Sequence, residues 1–173
     1  YAVLLSPMTP EQRAVGRCYL NTVAFRTWAL TQKMGPHEIA EQIAGRNDMA
    51  LTIFVHGAGG TGKSMLIHCL RATMQKCGLG AAIITAYTGN QASQFLAPTM
   101  QKLTSLNPHQ VRKLLARDKV TSEQIDKWRE TFHQQGGVPI EDVGGLIFDE
   151  AANAPAETIS CSIVRIGMML RDV

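Results

Sequence analysis

An α/β fold with a mainly parallel sheet is the expectation for this chain, and three observations in the sequence carry it. Short apolar runs, Leu51-Thr52-Ile53-Phe54-Val55, Ala81-Ala82-Ile83-Ile84-Thr85-Ala86 and Gly144-Gly145-Leu146-Ile147-Phe148, alternate with longer stretches of helical period, the order of strand–helix–strand units. The first run leads into Phe54-Val55-His56-Gly57-Ala58-Gly59-Gly60-Thr61-Gly62-Lys63-Ser64, with four glycines in six positions and then a lysine and a hydroxyl. The third run ends in Asp149-Glu150, at the strand end where an open α/β sheet meets its ligands.

The first helix is signalled by Thr9-Pro10-Glu11-Gln12: a threonine cap, a proline at the first helical position, and a glutamine placed to complete a capping box. Its pattern runs to about Lys33, with Val15, Cys18, Tyr19, Thr22 and Val23 at helical spacing, until Met34-Gly35-Pro36 ends it. A short helix from Pro36 to Ala44 follows, with Ile39, Ala40 and Ile43 on one face and Gly45 as its stop. Leu51–Val55 reads as a buried strand, Lys63–Lys76 as the helix after the glycines, and Ala81–Ala86 as the next strand. Together they predict a parallel βαβ unit.

Farther on, Asn107-Pro108 opens a helix with Val111, Leu114 and Leu115 on a shared face. Thr121-Ser122-Glu123-Gln124 is a second capping box, opening a helix that presents Ile125, Trp128 and Phe132 and closes at Gly136-Gly137. Gly144–Glu150 is a third strand. Ala154-Pro155 begins a last helix whose face reads Ile159, Ile163, Ile166 and Leu170.

A length of 173 residues suits one domain with a sizeable core. Hydrophobic residues at 45% and charged residues at 18% exclude a disordered chain, and aromatics at 6% are sparse for a sandwich or barrel of strands. The net charge of +3 permits a polyanionic partner without demanding one. Cys18, Cys69, Cys77 and Cys161 form no CxxC pair, which argues against a zinc knuckle or a disulfide framework. No run approaches the apolar length of a membrane span, so no membrane partner is expected.

Gly57-Ala58-Gly59-Gly60-Thr61-Gly62-Lys63-Ser64 satisfies GxxxxGK[ST] between an expected strand and an expected helix. Glycines let the backbone wrap a phosphate and aim N–H donors at it, and the helix adds its positive end. Lys63 would reach the β- and γ-phosphates of ATP, Ser64 would ligate Mg²⁺, and Met65 extends the cradle into the helix. Asp149, at the end of an apolar strand, is the expected metal carboxylate, and Glu150 the base that polarises the attacking water. A nucleotide kinase would share the loop but has less need of the second carboxylate.

Four stretches in this order resemble the first RecA-like domain of superfamily 1 DNA helicases, of the petite-integration-frequency and Helitron helicase-like family. They are Thr9–Val15, similar to that family's glutamine motif; Phe54–Ser64; Thr85-Ala86-Tyr87-Thr88-Gly89-Asn90-Gln91-Ala92, similar to its A-x-TG-x-A segment; and Leu146–Ala151, similar to its Walker B strand. The resemblance implies a RecA-like three-layer sandwich and an ATP-dependent 5′-to-3′ helicase of DNA repair and recombination. Gln12 would read adenine, and Thr88 and Gly89 would touch single-stranded DNA. It also implies an intracellular protein, nuclear in a eukaryote. Residues 1–50 would form a helical segment carrying the glutamine motif, and residues 51–173 a partial RecA-like ATPase domain.

Two departures bear on DNA coupling. Phe95–Gln101 keeps a threonine of the family's Gly-Gly-x-Thr-x-His stretch but lacks its glycines and histidine, and Ala151-Ala152-Asn153 stands where the family reads Ile or Ala, Ser, Met. The chain starts at Tyr1 and stops at Val173 inside a helical pattern, which predicts a piece of a longer parent, truncated at the C-terminus. Two alternatives remain: another P-loop ATPase, and a degenerate remnant that binds nucleotide or nucleic acid without turnover. Arg112, Lys113, Arg117 and Lys119 read as a solvated face or a DNA-backbone contact, and Trp128 and Phe132 as core or as base-stacking residues.

Overall fold

The computed structural model describes residues 5–50, 53, 55, 59–107 and 120–170. The chain divides into two compact units, Tyr1–Ala82 and Ile83–Val173.

In the first unit, α1 (Pro10–Thr31) begins at the expected capping box: Thr9 Oγ1 accepts from the Gln12 backbone N–H, and Gln12 Oε1 accepts from the Thr9 backbone N–H. Two donors that the first helical turn leaves over are thereby paired. The buried side of α1 is Gly16, Leu20, Val23 and Ala29, shifted by about one residue from the face read from the sequence. Gly16 lets α1 and α3 (Lys63–Lys76) approach: a Cβ there would lie 3.2 Å from Leu5 Cδ2 and 3.6 Å from Leu66 Cδ1. At the other end of α1, Ala29 buries with Ile39 and Ile43 of α2 (Pro36–Ala44), covered by Phe25, Met34 and Met49. Each such buried aliphatic side chain contributes roughly 1.5–3 kcal/mol relative to exposure.

Both α2 and α3 have the bounds expected from the sequence. The strand expected at Leu51–Val55 lies mostly outside the described residues, and its described members Ile53 and Val55 are not in a strand. The βαβ unit expected around α3 includes residues outside those described.

The Tyr19 hydroxyl in α1 is buried without a hydrogen-bond partner among the described residues, and burial pushes its pKa up to about 12. An unpaired buried hydroxyl costs more than its absence. Tyr19→Phe is accordingly expected to hold or raise stability by up to about 1 kcal/mol in urea unfolding; a clear loss would mean the hydroxyl is bonded in solution.

The second unit is built on two parallel neighbouring strands, β1 (Ala81–Ala86), which belongs to it from Ile83 onward, and β2 (Val143–Asp149). Buried Thr85 in β1 donates through Oγ1 to the Pro98 carbonyl at 2.9 Å, and Ala86 forms a parallel bridge with Thr99. Two helices absent from the sequence reading lie after β1: α4 (Gly89–Gln94), capped by Thr88, and α5 (Met100–Leu103), capped by Thr99. Thr88-Gly89 is thus a helix start. The helix expected from Asn107-Pro108 lies outside the described residues beyond Asn107.

The second capping box forms as expected, with Thr121 and Gln124 exchanging bonds at the start of α6 (Ser122–Gly136). Gly137 ends the helix at φ +77°, a left-handed conformation open to glycine at no steric cost. Gly136 packs closely, since a Cβ there would meet Leu103 Cδ1 at 3.3 Å. Phe132 is buried, so of the two aromatics it belongs to the core.

The last helix, α7 (Ala156–Leu170), corrects the expected face. Ile163 is 57% exposed, and the buried positions are Cys161, Ser162, Arg165 and Met169. Arg165 itself is 2% exposed. Its Nη1 donates to the Thr104 and Ser105 carbonyls at 2.7 and 2.9 Å, where α5 ends, and its guanidinium lies 3.9 Å from the centre of the Trp128 ring. Arg129 of α6 makes the complementary link, donating through Nε and Nη2 to the Met169 carbonyl in the last turn of α7. Helix ends leave carbonyls without intrahelical donors, and two arginines supply them here.

Candidate functional site

The candidate residues fall into two constellations, one in each unit. The first is the glycine loop. Gly57 and Ala58 lie outside the described residues. Gly59 and Gly60 have open space where side chains would stand, with nothing within 4 Å of an ideal Cβ, and Gly60 has φ +79°. Gly62 caps α3 in the left-handed conformation, φ +80° and ψ 17°, without a side-chain cap bond. Lys63 is the first residue of α3 and is half-buried, while Ser64 and Met65 are exposed on the same first turn. A 14-residue helix thus presents its N-terminal N–H groups beside a backbone that glycine keeps bare, the arrangement that receives a phosphate.

Gln12 is brought against this loop. Its Nε2 donates to the Thr61 carbonyl at 2.7 Å, while its Oε1 takes the Thr9 N–H of the capping box. A Cβ at Gly62 would sit 2.7 Å from Gln12 Nε2. Glycine at 62 therefore answers both the positive φ and this approach. The capping and loop-contact roles of Gln12 leave one amide hydrogen and one carbonyl lone pair for the adenine contact that the resemblance implies.

The second constellation surrounds the carboxylates. Asp149 is the last residue of β2 and is half-buried; Glu150 follows with φ +49°, exposed, and caps a 3₁₀ turn at Ala151–Asn153. That turn carries Asn153 back to Glu150: its backbone N–H donates to the Glu150 carbonyl at 3.0 Å and its Nδ2 to Glu150 Oε2 at 2.6 Å. Gln91 Nε2 donates to the same Oε2. Gln91 is held in turn by Thr88, whose Oγ1 donates to Gln91 Oε1 at 2.8 Å. Thr88, Gln91, Glu150 and Asn153 are one continuous set of hydrogen bonds.

Thr88 and Glu150 were both legible from motif position, but their connection was not. Gln91 stands at the last position of the A-x-TG-x-A pattern, where the resembled family has alanine, and Asn153 stands where it has methionine. The signal that could have found them is the pair of departures itself: two amides replacing apolar residues near two candidate sites.

Among the described residues no group of three or more His, Cys, Asp or Glu could hold a metal. The expected Mg²⁺ environment is of another kind, a serine hydroxyl, one carboxylate, phosphate oxygens and water. Ser64 in the first unit and Asp149 in the second each carry the hard oxygen donor that magnesium prefers. Among the described residues no helix is long and apolar enough to cross a membrane. Cys18, Cys69, Cys77 and Cys161 form no disulfide. In comparisons with known proteins, the chain matches no family model, no curated protein and no solved structure.

Proposed function

We propose that this chain is the ATP-binding and hydrolysing part of a DNA helicase with a RecA-like fold. In a parent with a second RecA-like domain, it would drive 5′-to-3′ movement on single-stranded DNA and duplex unwinding. The observation that carries the reading is the glycine loop: bare backbone at Gly59 and Gly60, Gly62 in the left-handed cap, and Lys63-Ser64 opening α3, with Gln12 bonded to Thr61 beside them.

On this reading the backbone from Gly57 to Met65 cradles the phosphates and Lys63 neutralises them. Ser64 and Asp149 would hold Mg²⁺, which would supply positive charge to offset that of the phosphates. Glu150 removes a proton from the attacking water, and Gln12 meets the adenine with its remaining amide capacity. Thr88 and Gly89 contact the DNA backbone, a sequence-independent contact suited to translocation.

Lys63→Ala tests the reading. A charge-assisted phosphate contact is worth enough that ATP affinity is expected to fall about 10- to 100-fold, measured by titration with a fluorescent ATP analogue. Unchanged affinity would remove the nucleotide site and everything assigned to it. A second reading, a nucleotide-binding remnant without turnover, draws on one observation: the Glu150 carboxylate is engaged by two amides. Phosphate release by the wild-type chain, absent in Lys63→Ala, would dismiss it.

A further inference from the structure

The Gln91 and Asn153 amides belong to no motif that suggested the function, yet both end on one oxygen of the candidate base. Resting on the helicase reading, we propose that Gln91 is a positioning residue that couples strand contact at Thr88 to the carboxylate of Glu150. Without DNA it helps restrain that carboxylate. A DNA phosphate that takes the Thr88 hydroxyl releases it.

The stereochemistry of the four groups leads to this. A carboxylate oxygen offers two in-plane lone pairs. Glu150 Oε2 spends them on Gln91 Nε2 and Asn153 Nδ2, so a water seeking a basic site on this carboxylate is left with Oε1 alone. The two donors are not equally fixed. Asn153 is bound to Glu150 a second time through the backbone, within the 3₁₀ turn. Gln91 reaches over from α4, and its amide plane is oriented by the Thr88 Oγ1–H on Oε1.

Thr88 has one hydroxyl proton and can give it to one acceptor. A phosphate oxygen carries a charge and is a stronger acceptor than an amide carbonyl. Thr88 is exposed and can receive it. Once the proton turns to phosphate, the Gln91 amide loses the bond that orients its plane and keeps only its donation to Glu150 Oε2 among the bonds described for that amide, and its terminal torsion is broad. Gln91 then swings away and returns one lone pair of Oε2 to water, while Asn153 keeps the carboxylate oriented. Strand occupancy is in this way converted to base availability by the loss of two linked hydrogen bonds, Thr88 to Gln91 and Gln91 to Glu150.

The test uses the full chain, Mg·ATP and a thymidine oligonucleotide as the strand. Gln91→Met keeps the bulk and removes the amide; Gln91→Ala removes both. Both variants are expected to raise oligonucleotide-free kcat about tenfold, the scale of one hydrogen bond to a charged group. KM for ATP should hold, and stimulation by the oligonucleotide should shrink toward unity. A merely structural role for Gln91 would be met by methionine and would leave the stimulation ratio alone. Thr88→Val should raise the oligonucleotide-free rate as well, and Thr88→Ser should restore wild-type behaviour.

A readout without turnover separates the two levels of the reading. In the ¹H–¹⁵N spectrum the Gln91 side-chain amide should shift in Glu150→Gln and shift again when the oligonucleotide is added to wild type. If wild type hydrolyses ATP and the oligonucleotide leaves that rate or the Gln91 resonance unmoved, the coupling is overturned while the ATPase stands. Gln91→Met with wild-type kcat and stimulation overturns it equally. If wild type shows no Lys63-dependent ATP binding, the helicase reading falls and takes the coupling with it.

Discussion

In Glu150→Gln, ATP affinity is expected to stay near wild type while turnover falls by about 10²- to 10⁴-fold, the range contributed by a general base. Glutamine has nearly the same shape, and its carbonyl oxygen can still accept from Gln91 and Asn153. What it cannot do is take a proton from water. Titration with a fluorescent ATP analogue and steady-state phosphate release measure the two quantities separately. Turnover retained within a few-fold would remove Glu150 as the base.

The second large effect lies in the fold. Arg165→Ala is expected to destabilise the chain by about 3 kcal/mol, seen as a lower urea midpoint. The variant strips a charged donor from the Thr104 and Ser105 carbonyls and empties the space beside Trp128. Thr104 is itself buried, so water cannot easily replace the donor at its carbonyl. Burial draws the Arg165 pKa down to about 10, which still leaves the guanidinium charged at neutral pH. Arg165→Lys should recover only part of the loss, because an ammonium lacks the flat surface that stacks on Trp128. A midpoint unchanged in Arg165→Ala would show that the carbonyls find other partners.

Local chemistry was the legible part of this sequence. Both capping boxes, at Thr9 and Thr121, form as their spacing predicts, because the bonds join residues three apart and need no tertiary information. The bounds of α2, α3 and β1 follow from proline, glycine and apolar period in the same way. Short helices were missed because α5 has four residues, too few for a period, and α4 starts at a Thr-Gly pair that reads equally well as a turn.

The face of α7 was misread for a different reason. Counting apolar residues placed Ile163 inside and gave no weight to Arg165, yet an arginine with carbonyls and an indole face to meet is buried and the isoleucine is not. The glycine loop and the Asp149-Glu150 pair were visible as motifs. The bonds from Gln91 and Asn153 to Glu150 were not, since Gln91 is brought there by chain folding across 59 residues. The strand before the loop and the helix after Asn107 concern residues outside those described.

The bond from Gln12 to Thr61 makes two distant parts of the chain share one local equilibrium. Gln12 sits in the first turn of α1 and is held there by Thr9, while its other end rests on the loop. Helix ends fray at little cost compared with global unfolding. Each time the first turn of α1 opens, the Thr61 carbonyl loses the Gln12 amide, so the order of the loop depends in part on the fraying of a helix end 49 residues upstream. The rigidity of the phosphate cradle is thus set partly outside the cradle, by a threonine and a glutamine whose other task is to begin a helix.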